Sequence, residues 1–424
     1  MERRGLLLLL LLIAIALPAG AQSVSVRVDP TAAVQELAAA EEPLGLEIFT
    51  RSALVFSGIS EQQSSRLEAQ IQVHIEDLRE RLSEVTDPRA QAEYALAYMH
   101  ETALRRYDER QTGLDVLLDR GGYNCVSSGV LYAILLKALG LPVWGVRTAD
   151  HAFCRVQAGD QAFDVETTSP FGFDPGTRKE FTDDFGRITG YSYVPPSNYT
   201  DRRDIGEKEL LGLILYNRTA FASERRDYPG AVPPAVDAYA LLADSESRER
   251  LITSLLNLAS WYGMSGRFAE ALEFLDSAAR RYGDDRLDAL QGDLNHNWIL
   301  SLIQKGDYSA AEQLLDSQQS QGRIAGGEWK ELTVYLYQVR AQKQAHGDYN
   351  GAARLILDGM NKVGSEQSLA KSYEVYIHNS VVTLARNARY EEALAVIEEA
   401  LLHLPGSSVL LKDRSMVLEA AARR

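Results

Sequence analysis

Five times in the second half of the chain an aromatic residue closes a short turn, at Tyr228, Phe268, Tyr308, Tyr349 and Tyr390, so the pattern recurs every 40 or 41 residues. Three residues after each stands an alanine (Ala231, Ala271, Ala311, Ala352, Ala393). Eleven before each stands an amide side chain (Asn217, Asn257, Asn297, Gln338, Asn379). Three columns in register over five copies restrict the fold more than composition does. Each copy reads as a helix, a turn and a second helix, with turns such as "GRFAEAL", "GDYSAAE", "GDYNGAA" and "ARYEEAL". One such unit cannot bury its apolar face alone, so neighbours must stack into a continuous core. The alanine lets two helices cross closely, and the aromatic fills the space beside the turn.

These columns resemble the tetratricopeptide repeat. The resemblance runs from Gly206 to the C-terminus and implies an all-α solenoid that binds a protein or peptide. The period exceeds the usual 34 or so residues of that repeat. Either the helices are longer by about one turn, or the loops between repeats are longer. Pro233 and Pro234 are expected to interrupt the second helix of the first copy, and Ser408 to Ala421 to form a capping helix. In that family the first helix of each repeat lines the concave face, which makes Asn257, Asn297 and Asn379 candidates for partner contact. The commoner role of such a column is an inter-repeat hydrogen bond that sets the stacking.

The N-terminus has a different character. Arg3 and Arg4 precede an unbroken apolar run, Leu6 to Leu17, and Ala19-Gly20-Ala21 fits a small-x-small cleavage site. Residues 1–21 therefore read as a secretory signal cleaved after Ala21, and the protein as exported, either periplasmic or secreted. An uncleaved anchor is the alternative, although a run this short spans a bilayer poorly. No later stretch approaches transmembrane length. The formal charge of −15, with basic residues scattered, argues against nucleic acid or anionic lipid as a partner. Only two cysteines occur, Cys125 and Cys154, too few for a disulfide scaffold. "MHETAL" around His100 lacks the second histidine of a zinc-protease helix, and there is no CxxC, so no metal or cofactor is expected.

Residues 22–105 read as a helical lead-in. "SSRLEAQIQVHIEDLRERLSEV" repeats apolar residues at three and four (Leu67, Ile71, Val73, Ile75, Leu78, Leu82), and "DPRAQAEYALAYMHETAL" offers Asp87 as an N-cap with Pro88 at the first helical position. From 106 to 205 the period changes. An apolar helix, Val126 to Leu139, stops at Gly140 and Pro142. It is followed by the strand-like runs "VWGVRTA", "HAFCRVQA" and "QAFDVETT", with Ala158-Gly159-Asp160 as a turn. This is an α+β unit of a helix plus antiparallel strands. Residues 170–205, rich in Pro, Gly, Tyr and Asp, look like an irregular surface segment. Its Tyr191, Tyr193 and Tyr199 either wall the site or pack a loop.

Chemistry is suggested where "RGGYNCVSSG" enters that helix. Unpaired amides and the helix dipole at an N-terminus stabilise a thiolate at Cys125. His151, opening "HAFCRV", is the candidate base, and Asp164 and Glu166 of "FDVETT" are candidate acids to orient it. Two residues apart, they share a strand face, so alternation cannot choose between them. The Cys125 N–H, helped by Asn124 or Tyr123, is the candidate oxyanion donor. The bland alternative for Cys125 is a small buried residue at the start of a core helix. Cys154, three residues after His151, points to the opposite face and reads as core. A Cys125–Cys154 disulfide would silence the thiol and needs Cα atoms within about 7 Å.

Taken together, "GGYNCVSSGVLYAILLKALGLPVWGVRT", "HAFCRV" and "FDVETT" resemble the transglutaminase-like branch of the papain-like cysteine superfamily. That family has a Cys opening a helix, a His starting a strand and an Asp on the next strand before a small residue and Thr. The matching positions are Cys125, His151 and, by the following Thr167-Thr168, Glu166, a glutamate where aspartate is usual. The resemblance implies a cysteine triad acting on amides as a cross-linker, deamidase, peptidase or amidase. Some members have lost catalysis, so a non-catalytic interaction scaffold is the second expectation.

Overall fold

The computed structural model describes residues 26–149, 151–176, 179–190 and 201–423; the expected signal, its cleavage site at Ala21, and Tyr191, Tyr193 and Tyr199 lie outside them. Among the described residues the chain is mostly helical, with a small sheet region. It divides into two compact units, Met1–Ser254 and Leu255–Arg424.

In the first unit the lead-in forms α1 (Ala32–Ala39), α2 (Leu46–Phe56), α3 (Glu61–Arg81) and α4 (Pro88–Thr102). On α3, Leu67, Ile71, Ile75 and Leu78 are buried, and Leu82 just beyond continues the stripe. Val73, read as part of that stripe, is 63 % exposed. Two residues beyond Ile71 lies about 200° round the helix, on the wet side. The start of α4 follows its sequence: the Asp87 carboxylate accepts from the Arg89 and Ala90 N–H groups, and Pro88 sits where a missing N–H costs nothing.

A short parallel pair, β1 (Arg106–Tyr107) with β2 (Gly122–Tyr123), brackets α5 (Leu114–Arg120) and leads into α6 (Cys125–Ala138). Every residue of α6 from Val126 to Leu136 is buried, so this helix has no polar face to turn to water. It packs against β3 (Val143–Arg147) and β4 (Ala152–Ala158) on one side and α2 and α4 on others. With β5 (Gln161–Val165) and β6 (Arg203–Ile205) the strands form an antiparallel sheet in the order β5-β4-β3-β6.

The stretch from 170 to 205, irregular by its composition, carries both β6 and α7 (Lys179–Thr189). The signals were too short to read. β6 has three residues, and α7 buries apolar side chains only at Phe181 and Phe185. Tertiary pairing supplies what local pattern lacks.

The next helices, α8 (Glu207–Glu224) and α9 (Tyr228–Leu242), carry the first copy of the repeat columns, yet Leu210, Leu211, Ile214 and Leu241 belong to the core that surrounds α6. The border between the units falls inside α10 (Ser245–Met264). A buried ion pair fixes α8 to this core. Lys137 on α6 meets Glu207 at 2.5 Å, and the second Glu207 oxygen accepts the Leu44 N–H. Pro233 and Pro234 do not interrupt α9, which runs through them. Through its ring constraint and lost N–H together, each proline is unfavourable by about 3 kcal/mol in a helix interior. Burial of Ala231, Val232, Ala235, Val236 and Ala238, on a helix packed closely along α8, overrides that cost.

The second unit continues as α11 (Phe268–Tyr282), α12 (Asp285–Lys305), α13 (Tyr308–Ser320), α14 (Gly326–Gln344), α15 (Tyr349–Val363), α16 (Gln367–Arg386), α17 (Tyr390–His403) and α18 (Ser408–Ala422), each packed on the next. The column aromatics open α9, α11, α13, α15 and α17, and all five column alanines are 0 % exposed. Extra period length sits in the first helix of each pair, since α12, α14 and α16 have 21, 19 and 20 residues. Before the aromatics, Asp227, Asp307 and Asp348 cap the N–H three residues on. Arg267 and Arg389 stand at the same position and instead pair with Glu270 and Glu392. The turn is held either by a cap or by an ion pair.

Replacing the closely packed Ala311 by Leu should overpack the α12–α13–α14 contact and destabilise the second unit by about 1–3 kcal/mol, whereas Val73→Ser should change stability by less than about 0.5 kcal/mol. Urea unfolding followed by circular dichroism reads both.

Candidate functional site

The first turn of α6 is organised by its cap. Asn124 Oδ1 accepts the N–H groups of Val126 and Ser127 at 3.0 Å each, and Ser127 Oγ accepts the Asn124 N–H at 3.0 Å. This reciprocal pair satisfies two helix amides and leaves the Cys125 N–H, which no helix carbonyl can reach, at the positive end of the helix. Cys125 is half-buried and carries a free thiol.

His151 stands just before β4. Its Nε2 lies 2.5 Å from Glu166 Oε2, so Nδ1 is the nitrogen left for a thiol. Burial pulls the His151 pKa down. The Glu166 carboxylate and the neighbouring Cys125 side chain outweigh that and hold it well above the ordinary histidine value. Glu166 is almost fully buried. Its other oxygen accepts the Thr168 hydroxyl at 2.8 Å and the Thr168 N–H at 3.2 Å. Both carboxylate oxygens are thus committed, one to the turn and one to the ring.

Asp164, the other candidate acid, is not brought to His151. It faces Arg155 across β4–β5 and is gripped by Arg202 at 2.6 and 2.7 Å. The shared-face expectation fails because β5 ends at Val165, and the chain turns back through Glu166 to Ser169. Cys154 is fully buried. Its Sγ lies 3.4 Å from the Gly129 carbonyl, burial pushes its thiol pKa up, and it forms no disulfide with Cys125. Asn124 and Tyr123 each donate to a backbone carbonyl. The Asn124 amide donates to the Glu109 carbonyl at 2.9 Å, and the Tyr123 hydroxyl to the Thr168 carbonyl at 3.2 Å. The Cys125 N–H remains as the candidate donor.

Other side chains complete the surroundings of the ring. Phe185 of α7 meets the His151 ring edge-on at 5.9 Å, and Phe153 stacks beside it at 6.3 Å. Asp184 accepts the Ser169 hydroxyl at 2.8 Å. His100 on α4 lies with Nε2 3.1 Å from the Thr167 carbonyl, edge-on to Tyr123, and burial lowers its pKa to about 4. The one signal for α7 was the spacing of Phe181 and Phe185. His100 stood only in a motif too incomplete to bind zinc.

In the array, Asn257 and Asn379 are half-buried and Asn297 is exposed. Among the described residues their side chains make no hydrogen bond, so the expected inter-repeat bond is absent; Asn217 instead donates to Thr112 Oγ1 at 3.1 Å. Tyr308, Arg340, Lys343, Gln344, Gly351 and Leu355 line an open cleft of about 590 Å³. Among the described residues no cluster of His, Cys, Asp or Glu is arranged to hold a metal ion, and no helix is long and apolar enough to cross a membrane. No protein-family model matches the chain, and no curated protein matches it.

Iodoacetamide should modify one thiol in the native protein and two after unfolding, the native adduct falling on Cys125 by peptide mass mapping.

The buried His100 should also make stability depend on pH. Its folded pKa is lowered, so between the unfolded value of about 6.5 and about 4 the unfolded chain binds a proton that the native state refuses. Stability should fall as pH drops through that window, by roughly 3 kcal/mol from this group. His151 has the opposite sign: its contribution is complete below about 6.5 and is lost as pH rises through its raised native value. Urea unfolding between pH 4 and 7 should show a shallower acid-side slope in His100→Gln than in wild type.

Proposed function

We propose that the first unit is an exported transglutaminase-like thiol enzyme acting on an amide of a protein or peptide, by hydrolysis or acyl transfer. The observation that carries this reading is the 2.5 Å contact of His151 Nε2 with a buried Glu166 whose other oxygen is held by Thr168, and the nearby Cys125 side chain adds to the rise in the pKa of the ring. The order of elements supports it as well: a cysteine at the start of an apolar helix, then a histidine and an acid along the antiparallel sheet packed on that helix.

In the reaction, the Cys125 proton already resides on His151 Nδ1, as the raised imidazole pKa favours, and the thiolate attacks the amide carbonyl carbon. The negative oxygen that forms is met by the Cys125 N–H at the positive end of α6. His151 then gives its proton to the leaving amine as the C–N bond breaks, and a thioester on Cys125 remains. Water resolves it to a carboxylic acid, or a second amine to a new amide. Glu166 keeps the imidazolium paired throughout and fixes the tautomer by accepting from Nε2. Phe153 and Phe185 shield the ring from water on two sides.

A second reading, an interaction scaffold, is favoured by the cleft on the array. Arg340 and Lys343 stand there without an ion-pair partner among the described residues, in a chain of net charge −15. An anionic peptide fits that chemistry, as partner or as substrate held for the thiol.

Cys125→Ala should abolish both hydrolysis of peptide amides and transfer to a small primary amine. Glu166→Gln should lower the rate by about 10²-fold or more, and Asp164→Asn should leave it near wild type. If Cys125→Ala retained the turnover of the wild type, the thiol mechanism would be wrong.

A further inference from the structure

We propose that His100 is a positioning residue of this site: its Nε2–H, donated to the Thr167 carbonyl, fixes the turn that aims the Glu166 carboxylate at His151. The consequence for catalysis rests on the thiol-enzyme reading; the positioning itself does not.

A glutamate reaches further than an aspartate but has one more rotatable bond, so its direction must be secured from outside. The turn from Glu166 to Ser169 is buried along its whole length. Four elements hook it. His100 of α4 meets the Thr167 carbonyl at 3.1 Å, and Tyr123 of β2 donates to the Thr168 carbonyl at 3.2 Å. Ser128 of α6 pairs with the Thr167 hydroxyl at 2.8 Å, and Asp184 of α7 takes the Ser169 hydroxyl at 2.8 Å. Thr168 lies between the first two hooks, and its N–H and hydroxyl hold Glu166 Oε1. Displacing the Thr167 or Thr168 carbonyl therefore moves the atoms that orient the carboxylate.

A carbonyl only accepts, so His100 must carry its proton on Nε2, and that assignment follows from the partner. The charged groups facing it, Asp184 and Glu166, favour a second proton, but burial outweighs them. His100 thus stays a neutral donor across the range in which a cysteine–histidine pair works. It holds the turn without adding a positive charge that would compete with His151 for Glu166.

The test is an imidazole NMR titration of the full-length protein, with the His151 signal assigned by its loss in His151→Gln. Wild-type His151 should titrate well above an ordinary histidine. In His100→Leu it should fall by about one unit or more toward the ordinary value, because the carboxylate is no longer held against the ring. His100→Gln, whose amide nitrogen reaches the same carbonyl, should keep most of the shift. Tyr123→Phe removes the adjacent hook and provides a second variant if His100→Leu does not fold. An unchanged His151 titration in the folded variants overturns the proposal, as does a wild-type His151 that titrates like an exposed one. The pH dependence of Cys125 alkylation in the same proteins separates the two ideas. If Cys125 reacts as an ordinary thiol while the His151 shift follows residue 100, the enzyme reading falls and the positioning role stands.

Discussion

Because α6 buries Val126 through Leu136 without a break, everything else in the first unit is arranged around it. A helix with no polar face can lie only at the centre of a core. The sheet covers one side, α2 and α4 cover others, and α8 completes the enclosure. Burial also dictates how the helix must end. Its first amides cannot rely on bulk water, so Asn124 and Ser127 cap them from within the chain. The cap leaves Cys125 at the one place on the helix where an uncommitted N–H and a positive dipole end coincide.

The carboxylates Glu207, Asp164 and Glu166 of this unit are each paired. Lys137 and Glu207 meet away from water, with the remaining Glu207 oxygen taken by a backbone N–H. Asp164 is enclosed by Arg202 and Arg155. Glu166 follows the same rule with a different partner, since its second oxygen is committed to an imidazole rather than a guanidinium. An arginine stays charged, whereas a histidine paired in this way can exchange its proton. That difference separates a structural ion pair from a group able to do chemistry.

Much of the candidate site was legible beforehand. Cys125 at a helix start, His151 at a strand start and a carboxylate two residues either way are local features, each with its own pattern. The choice of Glu166 over Asp164 was not local. It depended on where β5 stops pairing, which is decided by neighbouring strands. His100 was invisible as a functional residue because it lies 66 positions before Glu166 in the chain, and only the packing of α4 on α6 brings it to the turn. The continuity of α9 through Pro233 and Pro234 was likewise a packing result. So was the placement of the first repeat copy in the core of the first unit.

The sequence by itself determined the features that repeat or alternate: the period of the array, the aromatic that opens each second helix, the buried alanine column and the apolar run of α6. These depend on residues a few positions apart, so local geometry specifies them. Tertiary structure decided what happens where the chain has no period, at the ends of β5, through α7 and at the border inside α10. It also decided which acid meets His151, because a single carboxylate is committed by contacts among α4, β2, α6 and α7 that no short stretch of sequence contains.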